Sequence, residues 1–314
     1  MNYVNKQPIL GINFIQVNRS VIFLIGLLIS GISHSQNNQS ILQRLDTIRK
    51  DSLEIDPIFR RVKISLNYSS ATTFLGRKDT ISIPILSPSF KYTTSKNFIY
   101  QISLVHTNTT NKLFDELDVK IGKHFYIGEK YDASLSYSHF FFNKSVSRIN
   151  SFVNNDINFY NGFDFNYFYS AINTDFTYGK KTFTIKGKKK NKTHNLTVVS
   201  RDISLTWINL RQFYFYEFFN QNDKFIVTPE IDLVFGTQNS IRLYKNINTK
   251  QTAASRFQIR AITLNLDLLY VYKQLSFNIS PFVTFPKNVV EGQASKPYFV
   301  IYAGLFYAWK WEKK

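Results

Sequence analysis

The chain contains no cysteine, a single methionine and only five histidines among its 314 residues. Zero cysteine excludes a disulfide framework, a thiol nucleophile, thiolate zinc sites and cysteine-ligated iron–sulfur clusters. Five histidines leave little material for a metal centre, so neither a metal nor a cofactor is expected. Acids are scarce: 21 Asp and Glu stand against 39 Lys and Arg, for a formal net charge of +18. Long apolar runs are missing too. The run at residues 21–29, VIFLIGLLI, is well short of the ~20 residues that a helix needs to cross a bilayer. What is abundant is apolar and aromatic. Hydrophobic residues make up 44% of the chain and aromatics 17%, too much for disorder even at this charge.

Arg19 precedes the apolar run, and SGISHSQ comes after it, with Ser33 and Ser35 at small-residue positions. That order is the one found in secretory signals. Residues 1–35 are expected to be a cleaved signal peptide, with the cut after Ser35. Residues 36–60 then form a periplasmic segment. Ser40 and Gln43 can make a capping box, and Ile41, Leu42, Leu45 and Ile48 share one helical face. A short helix is expected here, at the periplasmic mouth or inside the barrel that the rest of the chain is expected to form, ended by Asp56-Pro57.

From residue 61 to the end, period-two alternation recurs. In residues 225–236, Phe225, Val227, Ile231, Leu233 and Phe235 point one way and Thr228, Glu230 and Asp232 the other. Twelve such segments are expected: 61–74, 80–94, 97–109, 114–126, 131–143, 152–165, 168–179, 195–216, 224–237, 257–271, 274–286 and 297–311. Within 195–216 the tail FYFYEFF reads as strand or as turn. Parity breaks near Ala261 and around Ile85, Leu86 and Pro88 predict one β-bulge in each place. Many segments exceed the ~5–6 residues of globular strands and match the ~9–11 of a tilted membrane strand. Short connections at 95–96, 127–130, 166–167, 217–223 and 272–273 alternate with connections that are mostly longer and more polar. The reading is an all-β, transmembrane, antiparallel up-and-down barrel of about 12 strands, 10–14 being the bounds, over residues 61–314. Charges on the polar face argue against a dry sandwich core.

The last segment, YFVIYAGLFYAWKW, sets Phe299, Ile301, Ala303, Leu305, Tyr307, Trp309 and Trp311 on one apolar face. In this it resembles bacterial outer-membrane β-barrel proteins, whose final strand ends in aromatics and is read by the barrel assembly machinery. It departs from them in Glu312-Lys313-Lys314 after the last aromatic. FIVTPEIDLVFGTQN and the Asn, Lys, Phe and Tyr richness resemble uncharacterised Bacteroidota-type barrels, in pattern and without an activity-specific motif. The resemblance implies the outer membrane of a Gram-negative bacterium, with outer-membrane lipid, lipopolysaccharide and that assembly machinery as partners. A nucleic-acid partner is not expected.

Two residue groups stand out. The polar faces carry Lys63, Lys91, Asp118, Lys120, Asp132, Asp156, Asp175, Glu230, Asp232, Arg260 and Asp267. They are expected to form a lumen charge network that fills the pore or sets a weak cation preference. Lys180, Lys181, Lys186, Lys188, Lys189, Lys190 and Lys192 make a basic extracellular loop. It reads as a solvated loop or as a contact for lipopolysaccharide or an anionic solute. Outer-membrane phospholipases set a His and a Ser two residues apart on a strand. His106, His124 and His139 have no Ser at that spacing, and no catalytic residue is assigned. The expected role is a narrow passive channel for small solutes or a structural and interaction barrel. A lipid-active enzyme and an accessory subunit of an envelope complex are the alternatives.

Overall fold

The computed structural model describes residues 59–70, 83–107, 114–143, 153–186, 193–237, 239, 256–288 and 296–312. The expected signal segment and helix lie outside the described residues. So do Lys188, Lys189, Lys190 and Lys192.

The strands are β1 (Phe59–Ser69), β2 (Ile85–Thr93), β3 (Phe98–Thr107), β4 (Glu116–Ile127), β5 (Tyr131–Phe142), β6 (Asn155–Asp164), β7 (Tyr169–Lys186), β8 (Thr193–Leu210), β9 (Phe213–Tyr216), β10 (Asp223–Gly236), β11 (Gln258–Tyr272), β12 (Leu275–Pro286) and β13 (Tyr298–Glu312). Each of the twelve expected segments is found. Apart from β8 and β9, consecutive strands pair antiparallel, β13 pairs with β1, and β10 pairs with β11, so the sheet closes on itself. Closure is the solution the chemistry demands, because an open edge in lipid would leave backbone N–H and C=O groups unpaired.

The thirteenth strand comes from the ambiguous segment 195–216. β8 and β9 both pair with β10, Leu210 opposite Glu230 and Phe213 opposite Val227. The ring thus has twelve strands, with β9 a short continuation of β8 past Arg211 and Gln212. The tail resolves into strand for FYFY and turn from Glu217 onward.

The five short connections share one backbone device. Asn97, Gly128, Asn166, Glu217 and Lys273 each adopt a left-handed φ between 53° and 71°. Tight turns between twisted strands require such residues, and Asn and Gly adopt the conformation most cheaply. With an even strand number, the start of β1 and the end of β13 fall at this same rim, where Phe59 pairs with Glu312.

The alternation places apolar residues outward. On β13 the outward row is the one read from sequence, ending in Tyr307, Trp309 and Trp311, while Tyr302, Phe306 and Ala308 point inward. On β10, Phe225, Val227, Ile231, Leu233 and Phe235 face out, and Thr228, Glu230 and Asp232 face in. Large apolar side chains are therefore exposed while Ser, Asn, Asp and Thr are buried. This inside-out polarity is that of a barrel surrounded by hydrocarbon. Inward apolar clusters are confined towards the strand ends. Tyr160, Ala171, Ile208 and Leu210, and separately Ile226, Leu269 and Val271, lie towards the short-turn rim, and Phe282, Tyr298 and Val300 lie towards the long-loop rim.

Three sequence expectations meet different fates. The bulge near Ala261 is present: Val234 pairs with Ala261 but Phe235 with Ile259, leaving Arg260 as the extra residue. The break around Ile85, Leu86 and Pro88 is not a bulge. β2 keeps one register with β1 from Arg61–Thr93 to Ser69–Ile85, and its faces alternate without interruption. Ile83 and Ile85 simply bring apolar residues to the inward face near the rim, and Pro88 sits on the outward row. Finally, the basic stretch is not all loop. β7 continues to Lys186 and β8 begins at Thr193, with Phe183 opposite Leu196 and Ile185 opposite His194. The β-forming residues between the lysines carry the ladder beyond the ends of the neighbouring strands. Lys180, Lys181 and Lys186 are thus strand residues.

Candidate functional site: the lumen wall

Inward positions form rows that cross the strands. One row runs Lys63–Lys91–Gln101–Lys120–Ser138–Asp156–Thr177–Asp202 through successive register pairs. It begins with three lysines on β1, β2 and β4 and ends with two aspartates on β6 and β8. Asp175, Asp232 and Asp267 continue the acidic side on β7, β10 and β11. Along this row the lumen wall is cationic over β1 to β4 and anionic over β6 to β8, with Asp118 of β4 and Asp132 of β5 placing acids near the lysines in other rows.

All eleven residues expected to line the lumen occupy inward positions of the strands. Asp132, Asp156, Glu230, Asp232, Arg260 and Asp267 are buried, and Lys63, Lys91, Asp118, Lys120 and Asp175 are partly so. Several of them are held along the wall by neutral neighbours. Asp175 accepts hydrogen bonds from Asn158 (2.6 Å), Asn173 (3.2 Å) and Ser204 (3.0 Å). Asp267 accepts from Asn278 (2.6 Å) and from the Ser280 hydroxyl. Asp132 accepts from the Tyr169 hydroxyl, which itself lies 2.7 Å from that of Tyr160. The Lys63 ammonium sits 4.2 Å from the centre of the Phe306 ring. Such bonds offset part of the cost of burying the carboxylates.

Arg260 differs from the others. The bulge turns it towards the long-loop rim, where it is 2% exposed. Its Nε donates to the Gly236 carbonyl (2.7 Å), Nη1 to that of Asn288 (3.0 Å) and Nη2 to that of Arg256 (2.7 Å). Arg260 thus ties the roots of two long connections to the barrel. On the neighbouring root, Asp202 accepts from the Thr237 hydroxyl (2.6 Å) and the Asn239 N–H (2.6 Å).

Sequence reading missed Asp202, Glu116 and the inward tyrosines Tyr160, Tyr169 and Tyr302. Their parity within each strand was the available signal. Their partners depend on register, as with Tyr302 donating to Asn67 of β1.

The three histidines with described side chains split between faces. His124 points inward beside Tyr126. His106 and His139 face outward. His139 Nδ1 lies 2.7 Å from Asn155 Oδ1, which also accepts from the Tyr137 hydroxyl (2.7 Å). That pair orients an imidazole, yet its row neighbours on β4 and β7 are Val119 and Tyr178, which bring no serine or threonine nucleophile to it.

No protein-family model matches the chain, and no curated protein matches it. Solved structures do. A NanC porin is 11% identical with a TM-score of 0.41, covering 78% of this chain and 98% of its own. LpxR from Salmonella typhimurium is 8% identical with a TM-score of 0.41, covering 78% and 99%. The outer membrane channel DcaP of Acinetobacter baumannii is 7% identical with a TM-score of 0.23, covering 81% and 96%.

Proposed function

We propose that this chain is a narrow passive channel for small hydrophilic solutes in the outer membrane of a Gram-negative bacterium. The observation that carries the reading is the lumen row in which Lys63, Lys91 and Lys120 lead to Asp156 and Asp202. A polar wall with its charges separated across the width favours a solute that is itself dipolar, because each end meets the opposite sign. The near-complete burial of inward Asn278, Ser280, Thr107 and Tyr302 supports narrowness. A ring of twelve strands also lies between filled barrels of ~8 and open porins of ~16–18. The outward aromatic row of β13 supports delivery by the barrel assembly machinery.

The test is single-channel conductance of the refolded protein in planar bilayers under a salt gradient. Discrete openings are expected. Lys63→Gln, Lys91→Gln and Lys120→Gln combined should raise the cation-to-anion permeability ratio roughly threefold. Asp156→Asn with Asp202→Asn should lower it by a similar factor. Silence from the folded full chain, and again after deletion of residues 36–58, would rule conduction out.

A further inference from the structure

The outward face of β7 and β8 breaks the apolar rule near the long loops. Lys180 and Arg201 both point outward and are exposed. Lys180 pairs with Val199 and Tyr178 with Arg201, so the two cations are diagonal neighbours on one face. Diagonal neighbours lie ~7–8 Å apart, within joint reach of long side chains. Among the described residues neither side chain has an ion-pair partner, and the outward faces of β6, β7 and β8 carry no acid there. Two like charges held side by side repel, so the arrangement calls for an anion.

Height and surroundings say which anion. Asn209 lies on the outward row near the short-turn end of β8, eight residues from Arg201. At ~3.3 Å per residue and a tilt of ~40°, Arg201 stands ~20 Å above it, towards the long-loop side of the apolar band. Below the two cations the outward surface is apolar: Phe176, Ile157 and Phe159 are all exposed. The backbone under the pair is fixed, since Asn154 Oδ1 accepts from the Lys180 N–H (3.2 Å) and Asn239 Nδ2 donates to the Arg201 carbonyl (2.8 Å). We propose that Lys180 and Arg201 form a binding site for the phosphate of a phosphorylated lipid in the outer leaflet, whose acyl chains lie against Phe176 and Ile157. Arg offers a planar fork and Lys a point charge, and phosphate can accept from both. The site requires only that the barrel sits in the outer membrane, not that it conducts.

The test is native mass spectrometry of the folded full chain titrated with bis-phosphorylated lipid A. Each cation at a membrane surface contributes enough that Lys180→Gln with Arg201→Gln should weaken binding about 30-fold. Dephosphorylated lipid A should bind the unaltered protein as weakly. Lys123→Gln, an outward cation near the opposite rim, should leave binding unchanged, and millimolar inorganic phosphate should not displace the lipid. Equal binding by the folded double variant would overturn the site. An equal loss in Lys123→Gln would reduce it to bulk electrostatics and overturn it too. Displacement by inorganic phosphate would overturn the lipid assignment in favour of a free-anion site. Heat-modifiable gel migration establishes folding of every variant, and the dephosphorylated lipid tests the site without any substitution.

Discussion

Leu264→Arg is expected to destabilise the barrel by about 2–4 kcal/mol, the cost of an arginine near the bilayer midplane. Leu264 points outward on β11, is 44% exposed, and lies between Ile231 of β10 and Val283 of β12. The outward run around it, from Ile262 to Leu268, is apolar throughout. In hydrocarbon the guanidinium has no water to satisfy it and must snorkel or thin the membrane. In water the same substitution at a half-exposed position would cost within ~0.5 kcal/mol. Denaturant titration of the protein folded into lipid vesicles, followed by tryptophan fluorescence, separates the two. A change smaller than that surface value would mean that Leu264 does not face lipid.

The second large effect is expected inside. Gly162 of β6 points into the lumen beneath the Tyr169 ring, which lies where a Cβ would be. A Cβ there would also come within 2.5 Å of Asp132 Oδ1. The glycine is what lets Tyr169 lie flat on the wall and donate to Asp132 while meeting Tyr160. Gly162→Val should expel the ring. Overpacking costs about 1–3 kcal/mol, and removing a hydrogen-bond donor from a buried carboxylate costs a similar amount, so about 2–6 kcal/mol is expected in the same titration. Tyr169→Phe removes the hydroxyl alone and should cost about 1–3 kcal/mol. Wild-type stability in Gly162→Val would show that Tyr169 is not anchored over Gly162.

The barrel itself was legible because period-two alternation is a local property. Which way Ile231 and Asp232 point is set by their neighbours along the chain. The bulge at Arg260 was legible for the same reason, since one extra residue shifts the parity of everything after it. The reading failed where charge and β-propensity competed. Lysines at 180, 181 and 186 suggested loop, but Phe183 and Ile185 face Leu196 and His194 across a continuous ladder. It also failed at Ile85 and Pro88, where an apolar residue on the lumen face imitated a parity break. Parity shows which charges point inward, but not their arrangement. That Lys63, Lys91 and Lys120 share a row depends on the registers of β1 through β4, which no single strand encodes. The Lys180–Arg201 pair was out of reach for the same reason.

The apolar face points into lipid and the polar face into a lumen, an orientation open to direct measurement. The absence of native cysteine lets it be measured without background. Single cysteines placed in turn at each position from Phe225 to Phe235 would be spin-labelled in protein reconstituted into bilayers. Collision rates with oxygen, which concentrates in hydrocarbon, would then be read position by position. Oxygen accessibility should alternate with period two, high at Phe225, Val227, Ile231, Leu233 and Phe235 and low at Thr228, Glu230 and Asp232. Alternation of the opposite phase, or none at all, would contradict an inside-out barrel in a membrane.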